Sequence, residues 1–269
     1  MPVDINKELL ENVIKIAHQA AREIMEIYSR GFNIEQKDDR TPLTEADLAA
    51  HKTIVKGLSA LTPDLPILSE ESSTKTPFSE RQNWQQYWLV DPLDGTREFI
   101  KRNGEFTVNI ALIESQRAVL GVIVVPVTGV CYFGGQGIGA FKRDEHGQTE
   151  AIKVRDLATD QAMVIAGSRS HGSPEFNRFL EKVDKYQLIS IGSSLKSCLV
   201  AEGKADIYAR LGPTSEWDTG AAQAVVEAAG GAVYTLDMKP LLYNSKESIL
   251  NPHFLVIGDL SHPWQDYLE

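Results

Sequence analysis

The sequence predicts a layered fold of mixed α and β structure, α+β in its first half and α/β in its second. Three observations predict it: a long amphipathic helical run near the N-terminus, a block of β-branched runs between residues 106 and 141, and short strands alternating with helices after residue 160. A chain of 269 residues, 42% of them hydrophobic and 24% charged, is long enough to bury a sizeable core. The change of pattern places the junction of two lobes near residues 145–160, with 1–150 expected as an α+β lobe and 151–269 as an α/β lobe.

Over residues 5–28 the apolar positions Leu9, Leu10, Val13, Ile16, Ala17, Ala20, Ile24 and Ile27 recur at helical spacing, and Gly31 closes the run. A second helix is predicted from Thr44 to about Leu61, where Thr62-Pro63 stops it. Trp88-Leu89-Val90 is a short apolar run entering an Asp-Pro loop. Residues 106–113 and 119–127 suit paired strands, and the glycine-rich segment 129–141 suits further strands and turns. In the second half, 163–166, 188–191, the neighbourhood of Ile207 and 254–257 read as strands, while 174–183, 194–201 and 217–229 read as helices.

The net charge of −10 disfavours a protein that grips long nucleic acid by neutralising phosphates. Residues 1–17 mix Asp4, Lys7, Glu8, Glu11 and Lys15 among their apolar positions, which is unlike a signal peptide, and no stretch approaches the ~20 apolar residues of a membrane span. A soluble, cytoplasmic protein is expected. Cys131 and Cys198 have no cysteine or histidine at metal-ligand spacing, so buried free thiols in a reducing compartment are expected.

The densest chemical signal is Asp91-Pro92-Leu93-Asp94-Gly95-Thr96. Two carboxylates three apart, a stiffening proline, an exposed Leu93 carbonyl and a glycine that admits a ligand suit a hard, oxygen-seeking cation. A helix beginning at Thr96 would also aim the amides of Gly95 and Thr96 at an anion. The same hexapeptide is a good turn sequence on local grounds. Glu70-Glu71, after Ile67-Leu68, reads equally as ligand or solvated loop, and Asp218, after Trp217, as ligand or helix cap. Thr44-Glu45-Ala46-Asp47 has the form of a capping box, and a chemical role for Asp47 requires it to face Thr96. Together these motifs favour a cation site over their separate structural readings.

In this order the stretches Thr44-Glu45-Ala46-Asp47, Ser69-Glu70-Glu71, 88–99 (WLVDPLDGTREF) and 217–231 (WDTGAAQAVVEAAGG) resemble the signature of the inositol monophosphatase superfamily, over nearly the whole chain. Within it, residues 101–113, 168–171, 192–206 and 212–218 are similar to the 3'(2'),5'-bisphosphate nucleotidases. Arg97 stands where that group more often has Lys, and Gly220-Ala221-Ala222 where it has Ala-Ala-Gly; both departures lie beside ligand positions. The resemblance implies an αβαβα sandwich with its site where the lobes meet. It implies two to three Mg²⁺ ions: one on Glu70, Asp91 and the Leu93 carbonyl, a second on Asp91, Asp94 and Asp218, and a weaker third touching Glu70. Thr96 and Asp47 would orient and deprotonate the attacking water. Substrate would lie against Glu70, Leu93, Asp94, Gly95, Thr96 and Asp218.

A bisphosphate carries a second anionic group, and the resemblance assigns it to His171, Ser193, Lys196 and Arg210. Taken locally, Lys196 also reads as a surface lysine, Arg210 as a solvated strand residue and His171 as a loop histidine. The implied activity is lithium-sensitive removal of the 3'-phosphate from adenosine 3',5'-bisphosphate, giving AMP and phosphate. It extends to the sulfated nucleotide of sulfur assimilation, PAPS, which would give APS. The alternatives are an inositol-1-phosphate or fructose-1,6-bisphosphate phosphatase on the same metal centre, or a silent nucleotide sensor. Some bacterial relatives lie on the inner face of the cell membrane, but nothing in the sequence resembles an anchor.

Overall fold

Asn6 caps the first helix by accepting the amide of Leu9 at 2.9 Å, and α1 runs Lys7–Arg30 with one apolar face. This computed structural model describes residues 3–31, 34–36, 42–158, 160–167 and 174–268. A short antiparallel hairpin, β1 (Ile34–Gln36) and β2 (Pro42–Thr44), leads to α2 (Glu45–Leu61), for which Thr44 is the N-cap, and a one-turn helix α3 (Phe78–Arg81) comes later, before the second strand of the large sheet.

A seven-stranded sheet follows in the order β3 (Ile67–Ser69), β4 (Gln86–Asp94), β5 (Thr107–Glu114), β6 (Arg117–Val124), β7 (Cys131–Gly135), β8 (Gly139–Arg143) and β9 (Thr149–Ala151). Only the β3–β4 pairing is parallel. Both faces of its centre are buried, so β4 and β5 read as continuous apolar runs rather than alternating ones. Trp88, Val90, Val108, Ile110 and Leu112 join one core with α1 and α2, whereas Tyr87, Leu89, Ala111 and Ile113 join another on the opposite face. Trp88 is fully buried, a burial that stabilises by about 2–3 kcal/mol. Its indole N–H donates to Thr62 Oγ1 at 2.8 Å, so no polar atom is orphaned.

The central layer is α6 (Leu195–Ala201) and α7 (Gly220–Ala228), the latter rich in small residues where it lies close against the first sheet. A Cβ on Gly121 of β6 would stand 2.1 Å from the Ala221 carbonyl oxygen, so only glycine lets α7 lie this close. The second sheet has the order β11 (Tyr186–Ser190), β10 (Met163–Gly167), β12 (Ile207–Arg210), β14 (Phe254–Ile257), β13 (Ala232–Thr235). Its inner face shares the core of α6 and α7. Its outer face packs Ile165, Ile207, Leu255 and Ile257 with Phe176 and Phe179 of α5 (Pro174–Glu181) and with Trp264. Helix, sheet, helix, sheet and helix therefore alternate, as the resemblance implies.

Three elements differ from expectation. The helix expected over 217–229 is split: Glu216–Asp218 forms a 3-10 turn closed by a Ser215–Asp218 capping box, and α7 begins only at Gly220. The strand entering the Asp-Pro loop does not end at Val90; β4 continues to Asp94, with an irregularity in its pairing to β5 between Asp91 and Asp94. β13 carries no sequence signal that separates it from the loops around it.

Candidate active site at the end of β4

The irregular end of β4 turns its side chains away from the ladder. Asp91 is 1% exposed, and its Oδ1 accepts the Leu93 amide at 3.0 Å, which folds the chain around the carboxylate. Gly95, at φ +94°, makes the turn into α4 (Thr96–Lys101); a Cβ there would be strained and would press on the Glu105 carbonyl at 3.1 Å. Asp218 arrives from the other side, set by the 3-10 turn, with its Oδ2 accepting from Thr214 Oγ1 at 2.6 Å and the Ser215 amide at 2.9 Å.

These two turns bring Asp91, Asp94 and Asp218 together, one carboxylate oxygen of each lying within 4.8 Å of the others. Three carboxylates at that spacing repel unless positive charge lies among them. Burial first, and then the charges of Glu70, Asp94 and Asp218, push the Asp91 carboxyl well above the usual range. Asp94 is pushed up to about 6 by burial and Asp218, against the opposing pull of Lys196 and Ser194. All-oxygen donors of high negative charge, held by turns rather than by partner cations, fit one or more hard divalent cations. Glu70, the first residue of the 3-10 turn Glu70–Lys75, is near enough to act on Asp91 through its charge.

Asp47 holds two positions at once. Its Oδ2 completes the capping box, accepting the Thr44 amide at 2.8 Å and hydroxyl at 2.7 Å, while its Oδ1 accepts from Thr96 Oγ1 at 3.2 Å. Thr96 Oγ1 also lies 3.3 Å from the Leu93 carbonyl. The carboxylate that caps α2 therefore also faces Thr96, the condition the sequence set for a chemical role of Asp47.

A cleft of about 560 Å³ opens over this cluster, lined by Glu70, Asp91, Leu93, Asp94, Gly95, Thr96 and Asp218 on one side and by Tyr208 and Arg210 on the other. A neighbouring pocket of about 150 Å³, sharing Asp94, Arg210 and Asp218, adds Ser193, Ser194 and Lys196. Arg210 Nη2 donates to the Pro213 carbonyl at 2.6 Å, and its Nε is buried without a hydrogen-bond partner. Lys196 is not a surface lysine. Burial pulls it down to about 8; its Nζ donates to the Ser193 carbonyl at 2.6 Å and stands 5.2 Å from the centre of the Tyr208 ring. His171, with the stretch 168–171, lies outside the described residues.

The sequence did not point to Ser194, Thr107 or Asn109. Asp94 Oδ2 accepts from the Ser194 amide at 2.7 Å, and it lies 3.4 Å from both Thr107 Oγ1 and Asn109 Nδ2. A signal existed for Asn109: it is a buried amide, 1% exposed, inside the apolar run of β5, where an unexplained polar side chain usually has a partner.

The model of the inositol monophosphatase family matches residues 6–262, and the chain belongs to that family. Among similar proteins is one from Salmonella typhimurium described as 3'(2'),5'-bisphosphate nucleotidase CysQ, 51% identical over 250 residues that cover 92% of this chain and 99% of that protein. The protein of the same description from Escherichia coli K12 is 50% identical over the same shares. A crystal structure of CysQ from Bacteroides thetaiotaomicron, a bacterial member of the inositol monophosphatase family, superposes with a TM-score of 0.82 at 41% identity, covering 94% of this chain and 97% of that one. Among the described residues no helix is long and apolar enough to cross a membrane.

Proposed function

We propose that this chain is a metal-dependent phosphoric monoester hydrolase that removes the 3'-phosphate of adenosine 3',5'-bisphosphate, releasing AMP and phosphate, and that also takes PAPS to APS. The observation that carries the proposal is the pairing of two opposite features in one cleft. A cluster of three crowded carboxylates, Asp91, Asp94 and Asp218, shares a cleft with Arg210, whose buried Nε has no hydrogen-bond partner. A monoester needs cations at the scissile phosphate; a bisphosphate also needs a basic group at the other one. Relatives described as 3'(2'),5'-bisphosphate nucleotidases at about half identity over nearly their whole length support the same substrate class.

Glu70, Asp91 and the Leu93 carbonyl would hold one Mg²⁺ and Asp91, Asp94 and Asp218 a second, with Glu70 also touching a weaker third. Bound there, the cations supply charge neutralisation for the phosphoryl group and acidity for the attacking water. The chain itself handles the proton. Thr96 Oγ1, its own hydrogen directed at Asp47 Oδ1, offers a lone pair to the water, so a proton lost by water is taken up along the Thr96–Asp47 pair. As water adds to phosphorus, the bond to the ribose 3'-oxygen breaks and that oxygen leaves to be protonated. Gly95, Thr96 and the carboxylate residues orient the scissile phosphate. Ser193, Lys196, Arg210 and His171 bind the phosphate that stays.

Side-by-side turnover of adenosine 3',5'-bisphosphate, inositol 1-phosphate and fructose 1,6-bisphosphate tests the assignment. The bisphosphate nucleotide should give the highest kcat/KM; preference for either sugar phosphate would replace the proposal with an alternative phosphatase. Millimolar Li⁺ should inhibit turnover by occupying a labile cation position, and unchanged turnover would count against that position.

A further inference from the structure

Asp94 differs from its neighbours in how completely one of its oxygens is satisfied. Oδ2 accepts the Ser194 amide at 2.7 Å, lies 2.9 Å from Ser194 Oγ, and is approached by Thr107 and Asn109 from β5. An oxygen so surrounded has no lone pair well placed for a cation, so Oδ1 is left as the ligand atom. Ser194 Oγ does more than hold Asp94. It stands 3.0 Å from the main-chain carbonyl of Asp218 and accepts from Asn109 Nδ2 at 2.9 Å. One buried hydroxyl, 5% exposed as a residue, therefore lies between the Asp94 carboxylate and the Asp218 main chain and shares its single hydrogen between them, linking β4 to the 3-10 turn before α7.

Resting on the two-cation proposal above, we infer that Ser194, held by Asn109, is a positioning residue that sets the spacing of Asp94 and Asp218 for the second cation. The cation shared by Asp91, Asp94 and Asp218 depends on it, and the cation on Glu70, Asp91 and the Leu93 carbonyl does not. The hydroxyl fixes which oxygen of Asp94 faces the site. Because Asp94 and Asp218 lie 124 residues apart in sequence, a bridge between them supplies an order that chain connectivity cannot.

The test is Mn²⁺ binding to metal-free protein, followed by calorimetry and by electron paramagnetic resonance, for wild type, Ser194→Ala and Asn109→Ala. In Ser194→Ala one Mn²⁺ equivalent should lose about tenfold in affinity while the other keeps its own. Asn109→Ala should weaken the same equivalent by a smaller factor, and Ser194→Thr, which restores a hydroxyl, should recover part of the loss. Unchanged binding of both equivalents in Ser194→Ala would overturn the inference and leave the two-cation proposal standing. Equal weakening of both, with a lower melting temperature of the metal-free protein, would also overturn it, in favour of a general structural role. Absence of any Mn²⁺ binding by the wild type would instead overturn the cation proposal itself.

Discussion

The acidic and basic walls of the cleft are built on opposite plans. Asp91, Asp94 and Asp218 crowd one another, and burial with the charges of Glu70, Asp94 and Asp218 holds the Asp91 carboxyl well above its usual range. Lys196 and Arg210 already donate to the carbonyls of Ser193 and Pro213, and keep only part of their capacity for a ligand. On the proposed reading the acidic wall serves the reaction through added cations, whereas the basic wall, already tied in part to the main chain, selects what else binds. Changes to the first should therefore abolish turnover, and changes to the second should shift preference.

The largest expected effect is at Asp91. Asp91→Asn keeps the shape and removes the charge common to both proposed cation positions, so kcat should fall by on the order of a thousandfold or more. The metal-free protein should not lose stability, because the charge removed is one that burial and three neighbouring acids oppose. Steady-state kinetics beside thermal melting checks both halves. Full activity in a folded Asp91→Asn protein would exclude a cation held through that carboxylate.

Thr96→Ala should come next, with a loss of about 10²–10⁴-fold in kcat and unchanged Mn²⁺ binding, since it removes a proton path and no ligand. Asp47→Asn should show the same loss together with some destabilisation, because the capping box goes with it. Replacing Lys196 or Arg210 by Met should lower kcat/KM for adenosine 3',5'-bisphosphate by about tenfold to a hundredfold, leaving any slow hydrolysis of inositol 1-phosphate nearly unchanged. Equal losses on both substrates would mean that the two cations support the fold or the acidic cluster.

The smallest effect is on stability against pH. Asp94 has its carboxyl raised from 3.8 to about 6 in the folded chain, so over that window the folded state holds a proton that the unfolded state has lost. Metal-free protein should thus be most stable below about pH 4 with respect to this group, losing at most about 3 kcal/mol as pH rises through 6. Saturating Mg²⁺ should flatten that slope. Chemical denaturation at several pH values, with and without Mg²⁺, measures it.

What the sequence disclosed and what it hid follow the same division. Asp91, Leu93, Asp94, Gly95 and Thr96 are contiguous, so their joint purpose shows in a single hexapeptide. Asp47 was visible as a cap because a capping box is a four-residue pattern; its second contact, to Thr96, closes 49 positions and leaves no local trace. Ser194 went unnoticed beside Ser193 for the same reason, its partners being 85 and 100 residues distant. The layers were legible because period 3.6 in α1 and continuous apolar runs in β4 and β5 are strong signals. The start of α7 was not, because Trp217-Asp218-Thr219 fits a helix as well as the 3-10 turn that the Ser215 cap imposes. Lys196 read as exposed from composition alone, yet it is buried against Tyr208, a placement that depends on the second sheet closing over α6.

The most direct measurement is phosphate release from adenosine 3',5'-bisphosphate by metal-stripped protein before and after Mg²⁺ is restored. The acidic wall as described requires no release without the cation, restored release with it, and AMP with its 5'-phosphate intact as the product. Equal release in the presence of a chelator, or removal of the 5'-phosphate, would contradict the assignment of the acidic cluster to the scissile 3'-phosphate and of Lys196 and Arg210 to the one that stays.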